Sequence, residues 1–173
     1  VLPGEMLAAV TMALPGGEQE EIQAPTVPLL DTALMTNSPG EPRIGTQIVT
    51  EIPSADRIDV IMAFIRTSGL AQIEQALRRH CEAGRELRVL TTTYTGSTEL
   101  SALLKLQSLG AKIKISYDET SSRLHAKAWL FHRESGYPTA YVGSSNLTYS
   151  AQGPGLEWNV RVSGVRNPHV VDK

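Results

Sequence analysis

The chain has 173 residues, with 16 Lys and Arg against 18 Asp and Glu, a formal net charge of -2 and 41% apolar residues. That is the length of one domain with a core able to hold without staples, and the mild acidity excludes a general basic coat while leaving room for a local basic cleft. The single cysteine, Cys81, excludes an internal disulfide and a cysteine zinc cluster, and it points to a reducing cytoplasm. No apolar run approaches the roughly 18 residues that span a bilayer, and the opening VLPGEMLAAVTMALPGG lacks the basic stretch that starts a secretory signal. A soluble, cytoplasmic protein with no membrane partner is expected.

Residues 1–43 contain Pro3, Pro15, Pro25, Pro28, Pro39 and Pro42 without sustained periodicity after Gly16. They read as an N-terminal arm or linker around one short helix. From residue 44 the pattern becomes regular. TQIVTEIPSA suits a helix or a short strand, and RIDVIMAFI is an apolar, β-branched run of the kind that forms a buried strand. Ser68 is positioned to cap a helix over 70–83, with Leu70, Ile73, Ala76 and Leu77 on one face and Gly84 as its stop. ELRVLTT predicts the next strand, ELSALLKLQSLG a helix opened by Ser97 or Thr98 and closed by Gly110, and AKIKISY a third strand. HAKAWLFH and TAYVGSS read as neighbouring strands joined through residues 134–138, followed by a helical turn over 147–152 and a last strand in LEWNVRVS. Strands alternating with helices of this length predict an α/β sandwich, its mixed sheet largely parallel and flanked by helices on both faces. The domain is expected over 44–166, with 167–173 as a tail.

The chemistry concentrates in residues 124–146, LHAKAWLFHRESGYPTAYVGSSN. Successive side chains of an extended segment alternate faces, so His125 and Lys127 project to one side about 7 Å apart along the chain. A nucleophile and a cation thereby share one pocket. HxK followed by Gly143, Ser144, Ser145 and Asn146 resembles the signature of the phospholipase D superfamily, HxK, four residues, Asp, and later GSxN. Where that pattern has its Asp this chain has His132, and Glu134 lies two positions further on. Across TNSPGEPRIG, ADRIDVIMAFIRTSGL, LRVLTTTYTGSTE and the segments 116–137 and 140–163, the chain resembles the phospholipase D-like domain at the N-terminal side of bacterial superfamily II DEAD/DEAH-type helicases. That resemblance implies a fused or partner helicase beyond the tail. No Walker A motif GxxxxGK[ST] occurs here, so the chain has no ATPase site of its own.

Cleaving a phosphodiester without metal requires a nucleophile that forms a covalent intermediate, donors for the charged oxygens and an acid for the leaving oxygen. The resemblance implies His125 as nucleophile or acid, Lys127 and Asn146 on the phosphate, and Glu157 as the carboxylate that orients a histidine. Ser144, Ser145 and Arg123 are candidate phosphate contacts. No metal and no cofactor are expected. Only one HxK occurs, so one chain carries half a site, and single-motif members of the superfamily complete it by homodimerising. Each residue alone has an ordinary structural explanation, a strand histidine or a solvated lysine; their joint order and spacing carry the reading. The expectation is a metal-independent phosphodiesterase or endonuclease acting on DNA through a phosphohistidine. The alternative is a module that grips DNA phosphates for a helicase without turning over, with His132 in place of Asp as its motive.

Overall fold

The computed structural model describes residues 26–118 and 123–171. The short helix expected early in the arm lies outside them. Seven strands form one sheet in the order β1-β7-β6-β5-β2-β3-β4: β1 (Ala33–Met35), β2 (Arg57–Met62), β3 (Glu86–Thr92), β4 (Lys112–Ser116), β5 (Lys127–His132), β6 (Thr139–Gly143) and β7 (Asn159–Ser163). The α/β architecture and mixed sheet follow the expectation, but the balance of directions does not. Only β2-β3 and β3-β4 are parallel, while β2-β5, β5-β6, β6-β7 and β1-β7 are antiparallel. The physical reason is connection length. Helices separate β2, β3 and β4, whereas six residues join β5 to β6, too few to cross over and return parallel.

Helices lie on both faces, as expected, but unequally. Ile58, Val60, Met62, Leu87, Val89, Trp129, Phe131 and Tyr141 share one face, and they form a single core with α1 (Ile44–Glu51), α2 (Thr67–Leu70), α3 (Glu74–Glu82) and α4 (Leu100–Ser108). The opposite face carries Arg57, Asp59, Arg88 and His132 among its apolar residues, so it alternates in polarity and needs no full cover. Among the described residues it is met by α6 (Pro168–Val171), whose Val171 packs on Ala140, Val162 and Leu130. A cavity of about 930 Å³ lies on that face around Ile61, Leu90, Leu130 and His132, on the other side of the sheet from the Lys127 side chain.

Three boundaries move. The sheet begins inside the region expected to be arm, because β1 pairs with β7. The left-handed Asn37 (φ 58°) ties this entry down: its Oδ1 accepts from the Ile44 N–H that opens α1, and its amide donates to the carbonyls of Ala151 and Gly155. The helix expected over 70–83 is interrupted by a turn at 71–73, and the residue before α2 is Arg66, not Ser68. Glu99 rather than Ser97 or Thr98 precedes α4, since the Thr98 hydroxyl donates instead to the Ala63 carbonyl.

Candidate active site

The site lies at the edge where β2 and β3 end and β5 begins. Met62 pairs with Lys127, and Ala63 N–H donates to the Ala126 carbonyl, so the chain leaving β2 runs directly beside the residues entering β5. This is the carboxyl end of the parallel strands, where α/β sheets gather their ligands. His125 precedes β5 on extended chain and is exposed; Lys127 is the first residue of the strand and is 7% exposed.

The two side chains converge more closely than their separation along the chain. Lys127 Nζ stands 3.0 Å from Nδ1 and 3.1 Å from Nε2 of His125, and it donates to the His125 carbonyl at 2.6 Å. An ammonium is a donor only, so it can serve a ring nitrogen only through that nitrogen's lone pair. Burial holds the Lys127 ammonium below its ordinary pKa, and the nearby carboxylate of Glu157 works against that effect. Phe64 walls the pocket: its ring meets the His125 ring edge to face at 5.9 Å and lies 6.0 Å from Lys127 Nζ. Sequence reasoning passed over Phe64, which looked like one more apolar residue of a strand that in fact ends at Met62.

Asn146 holds that wall. Its Oδ1 accepts from the Phe64 N–H at 3.1 Å, and Leu147 N–H donates to the Phe64 carbonyl at 3.1 Å. With the oxygen so engaged, the NH₂ end of Asn146 is the end that remains for an anion. Ser144 is exposed and donates to the Glu157 carboxylate; its hydroxyl also accepts from the Trp158 N–H at 3.0 Å. Gly143 lets β7 come this close, since a Cβ there would stand 2.2 Å from the Trp158 carbonyl oxygen. Gly69 plays the same part under the Asn146 loop, where a Cβ would meet the Leu147 backbone at 2.4 Å.

The remaining residues separate into those near the chemistry and those away from it. Glu157 faces Ser144 and Lys127 rather than hydrogen-bonding the ring of its own chain's His125. Arg123 lies over the Tyr94 ring, 5.0 Å from its centroid, and donates to the Tyr94 hydroxyl at 3.1 Å. Ser145, expected on the phosphate, is 4% exposed, accepts from Asn159 Nδ2 at 2.7 Å and points at the Ala151 carbonyl. His132 ends β5 at the far end from Lys127 and on the opposite face, where its Nε2 pairs with Asp59 Oδ2 at 2.9 Å. Burial and then Arg57 depress its pKa, with Asp59 opposing. Glu134 does not stand in for the missing Asp either, lying exposed in the turn beyond β5 with its N–H on Asp56. Among the described residues no three His, Cys, Asp or Glu side chains converge as a metal-binding set.

A family model described as "Cardiolipin synthase, PLD-like domain" matches residues 48–172. The chain belongs to the phospholipase D-like family. The fold agrees: Nuc, a phospholipase D family member from Salmonella typhimurium, is similar at 18% identity and a TM-score of 0.54, over 77% of this chain and 82% of Nuc. NucT from Helicobacter pylori is similar at 10% identity and a TM-score of 0.59, over 79% of this chain and 87% of NucT. Yeast tyrosyl-DNA phosphodiesterase 1, in its H432R form, is similar at 12% identity and a TM-score of 0.53, over 76% of this chain and 31% of the enzyme. No curated protein sequence matches the chain. Membership of the phospholipase D-like family supports phosphodiester hydrolysis as the class of reaction. Among the described residues no helix is long and apolar enough to cross a membrane.

Proposed function

We propose that the protein is a metal-independent phosphodiesterase acting on DNA, with His125 as nucleophile. The observation that carries this reading is the exposed His125 ring held against the buried Lys127 ammonium, beside the Ser144 and Glu157 pair and the Phe64 wall anchored by Asn146. A substrate phosphate entering the pocket takes Nζ from the ring onto a non-bridging oxygen, and the freed imidazole lone pair attacks phosphorus. The bond to the leaving oxygen breaks as the phosphorus–nitrogen bond forms, and a second histidine supplies the proton that oxygen needs. Water then attacks the phosphohistidine, giving up its proton to that second histidine and returning His125 to its starting form.

The second histidine comes from a second copy of the chain, because one copy carries one HxK. In that homodimer Glu157 orients the partner's histidine and not its own, its carboxylate being engaged with Ser144 on its own chain. We further propose, from the sequence resemblance, that the domain is the nuclease module of a helicase-type protein of the cytoplasm. The alternative of a phosphate-gripping module without turnover drew on His132, which lies on the far face and so lends it no support at the site. The test is cleavage of DNA and of bis-p-nitrophenyl phosphate in EDTA by wild type and His125→Ala. Cleavage lost in the variant supports the proposal; cleavage that needs magnesium or survives the substitution removes it.

A further inference from the structure

A second concavity also borders Phe64. It has a volume of about 400 Å³ and is lined by Phe64, Arg66, Ser97, Thr148 and Tyr149, among others. Its walls come from the chain leaving β2 and from the start of α5 (Tyr149–Gln152), two segments locked together by the parallel bridge between Ile65 and Leu147 and by Arg66 N–H donating to the Leu147 carbonyl. The residue before that bridge is Asn146, and Phe64 both lines the groove and meets the His125 ring, so the groove adjoins the reacting centre. Tyr149 is 60% exposed, far beyond what a packing role requires, and Arg66 is exposed beside it. Ser97 and Thr148 line the same concavity, the Thr148 hydroxyl also accepting from the Ala151 N–H to cap α5.

We infer that this groove is a nucleotide subsite of single-stranded nucleic acid, in which the base next to the scissile phosphate stacks on Tyr149 and the neighbouring phosphate meets Arg66. The inference rests on the phosphodiesterase reading and deepens it by naming the substrate class. An exposed aromatic face beside a cation is how proteins hold unpaired strands, since every base offers a π-face and every phosphate a charge. A base within a duplex is already stacked on its neighbours and cannot turn into a groove walled by Phe64. The subsite therefore favours single strands or unpaired ends, and it does so through residues remote from the bond that breaks. Such remote contacts act on a polymer and are absent for a small diester.

The test compares wild type, Tyr149→Ala, Tyr149→Phe and Arg66→Gln on three substrates: a single-stranded oligonucleotide, its duplex and bis-p-nitrophenyl phosphate. Tyr149→Ala is expected to lower kcat/KM on the single strand about tenfold or more, the loss of one stacked base. Tyr149→Phe keeps the ring and the rate, and the small diester is cleaved as before by all variants. Arg66→Gln weakens single-strand binding, measured by fluorescence anisotropy, and reduces its salt slope by about one counterion's worth. Equal rates on the single strand for wild type and Tyr149→Ala, or equal losses on all three substrates, overturn the inference. If wild type cleaves nothing, the phosphodiesterase reading has failed, and anisotropy still judges the groove: unchanged single-strand affinity in Tyr149→Ala and Arg66→Gln rejects it.

Discussion

Glu51 offers the sharpest test of how the site's scaffold is held. Its carboxylate is 1% exposed at the end of α1, under the sheet face that carries β5, β6 and β7. Arg161 Nε donates to Oε1 at 3.0 Å and the Tyr141 hydroxyl to Oε1 at 2.8 Å, while Thr139 Oγ1 and Arg133 Nη2 donate to Oε2. Both guanidinium groups are themselves buried. Glu51→Gln keeps the shape and removes the one anion among the described residues that pairs with these two guanidinium groups, leaving two buried cations uncompensated. Breaking a buried pair in this way costs about 3–5 kcal/mol. Against a total stability of roughly 5–15 kcal/mol, that is a large share, and it lowers Tm by about 6–20 °C for a chain of this length. Scanning calorimetry and urea melts read it directly. Replacing Glu51, Arg133 and Arg161 together by apolar residues of similar volume should cost less than the single change, because no charge is then stranded. A loss below about 1 kcal/mol for Glu51→Gln, the worth of one neutral hydrogen bond, would refute the reasoning. The pH dependence has a definite sign. Burial alone would raise the Glu51 pKa, but Arg133 and Arg161 outweigh it and hold the carboxyl below its ordinary value of 4.5. Its contribution is therefore complete above about pH 4.5 and is lost as pH falls from there toward the folded value; the Gln variant lacks that part of the acid loss.

Other consequences concern the chemistry. Glu157→Gln removes the carboxylate that supports the Lys127 charge, so the lysine pKa drops further and the alkaline limb of the pH–rate profile moves to lower pH; an unmoved limb would separate Glu157 from Lys127. Gly143→Ala drives a Cβ into the Trp158 carbonyl at 2.2 Å and should cost about 1–3 kcal/mol by overpacking, with activity falling alongside as Ser144 and Asn146 shift; thermal melts and kcat/KM read the two together. His132→Ala should leave kcat/KM unchanged while lowering stability by about 1 kcal/mol, the worth of the hydrogen bond to Asp59, whose carboxylate keeps its pairs with Arg88 and Arg57, and a loss of activity without a loss of stability would return His132 to the site.

Much of this arrangement was legible in the residues. Apolar, β-branched runs placed β2, β3 and β5, the Gly84 and Gly110 stops closed α3 and α4, and shared parity joined His125 to Lys127. What escaped depends on partners distant in sequence. The buried Glu51 cluster draws on α1, the turn after β5, β6 and β7; its one local signal was Arg161 amid the apolar run NVRVS, at a parity that faces the core. His132 looked like a damaged motif, because the spacing shows its place in the pattern and conceals Asp59 across the strand pair. Ser145 and Ser144 are adjacent and identical in type, so only the pleat decides that one turns inward to Asn159 and the other outward to Glu157. The antiparallel half of the sheet followed from the short connection after β5, a cue outweighed in the sequence by the earlier strand–helix alternation.

The central claim is that His125 takes the phosphoryl group. The most direct measurement is to incubate wild type and His125→Ala with labelled DNA in EDTA, quench rapidly, and map any covalent adduct by mass spectrometry. An acid-labile, base-stable phosphohistidine on the peptide containing His125, absent from the variant, is the predicted result. Turnover without an adduct, or an adduct that persists in His125→Ala, would contradict the account.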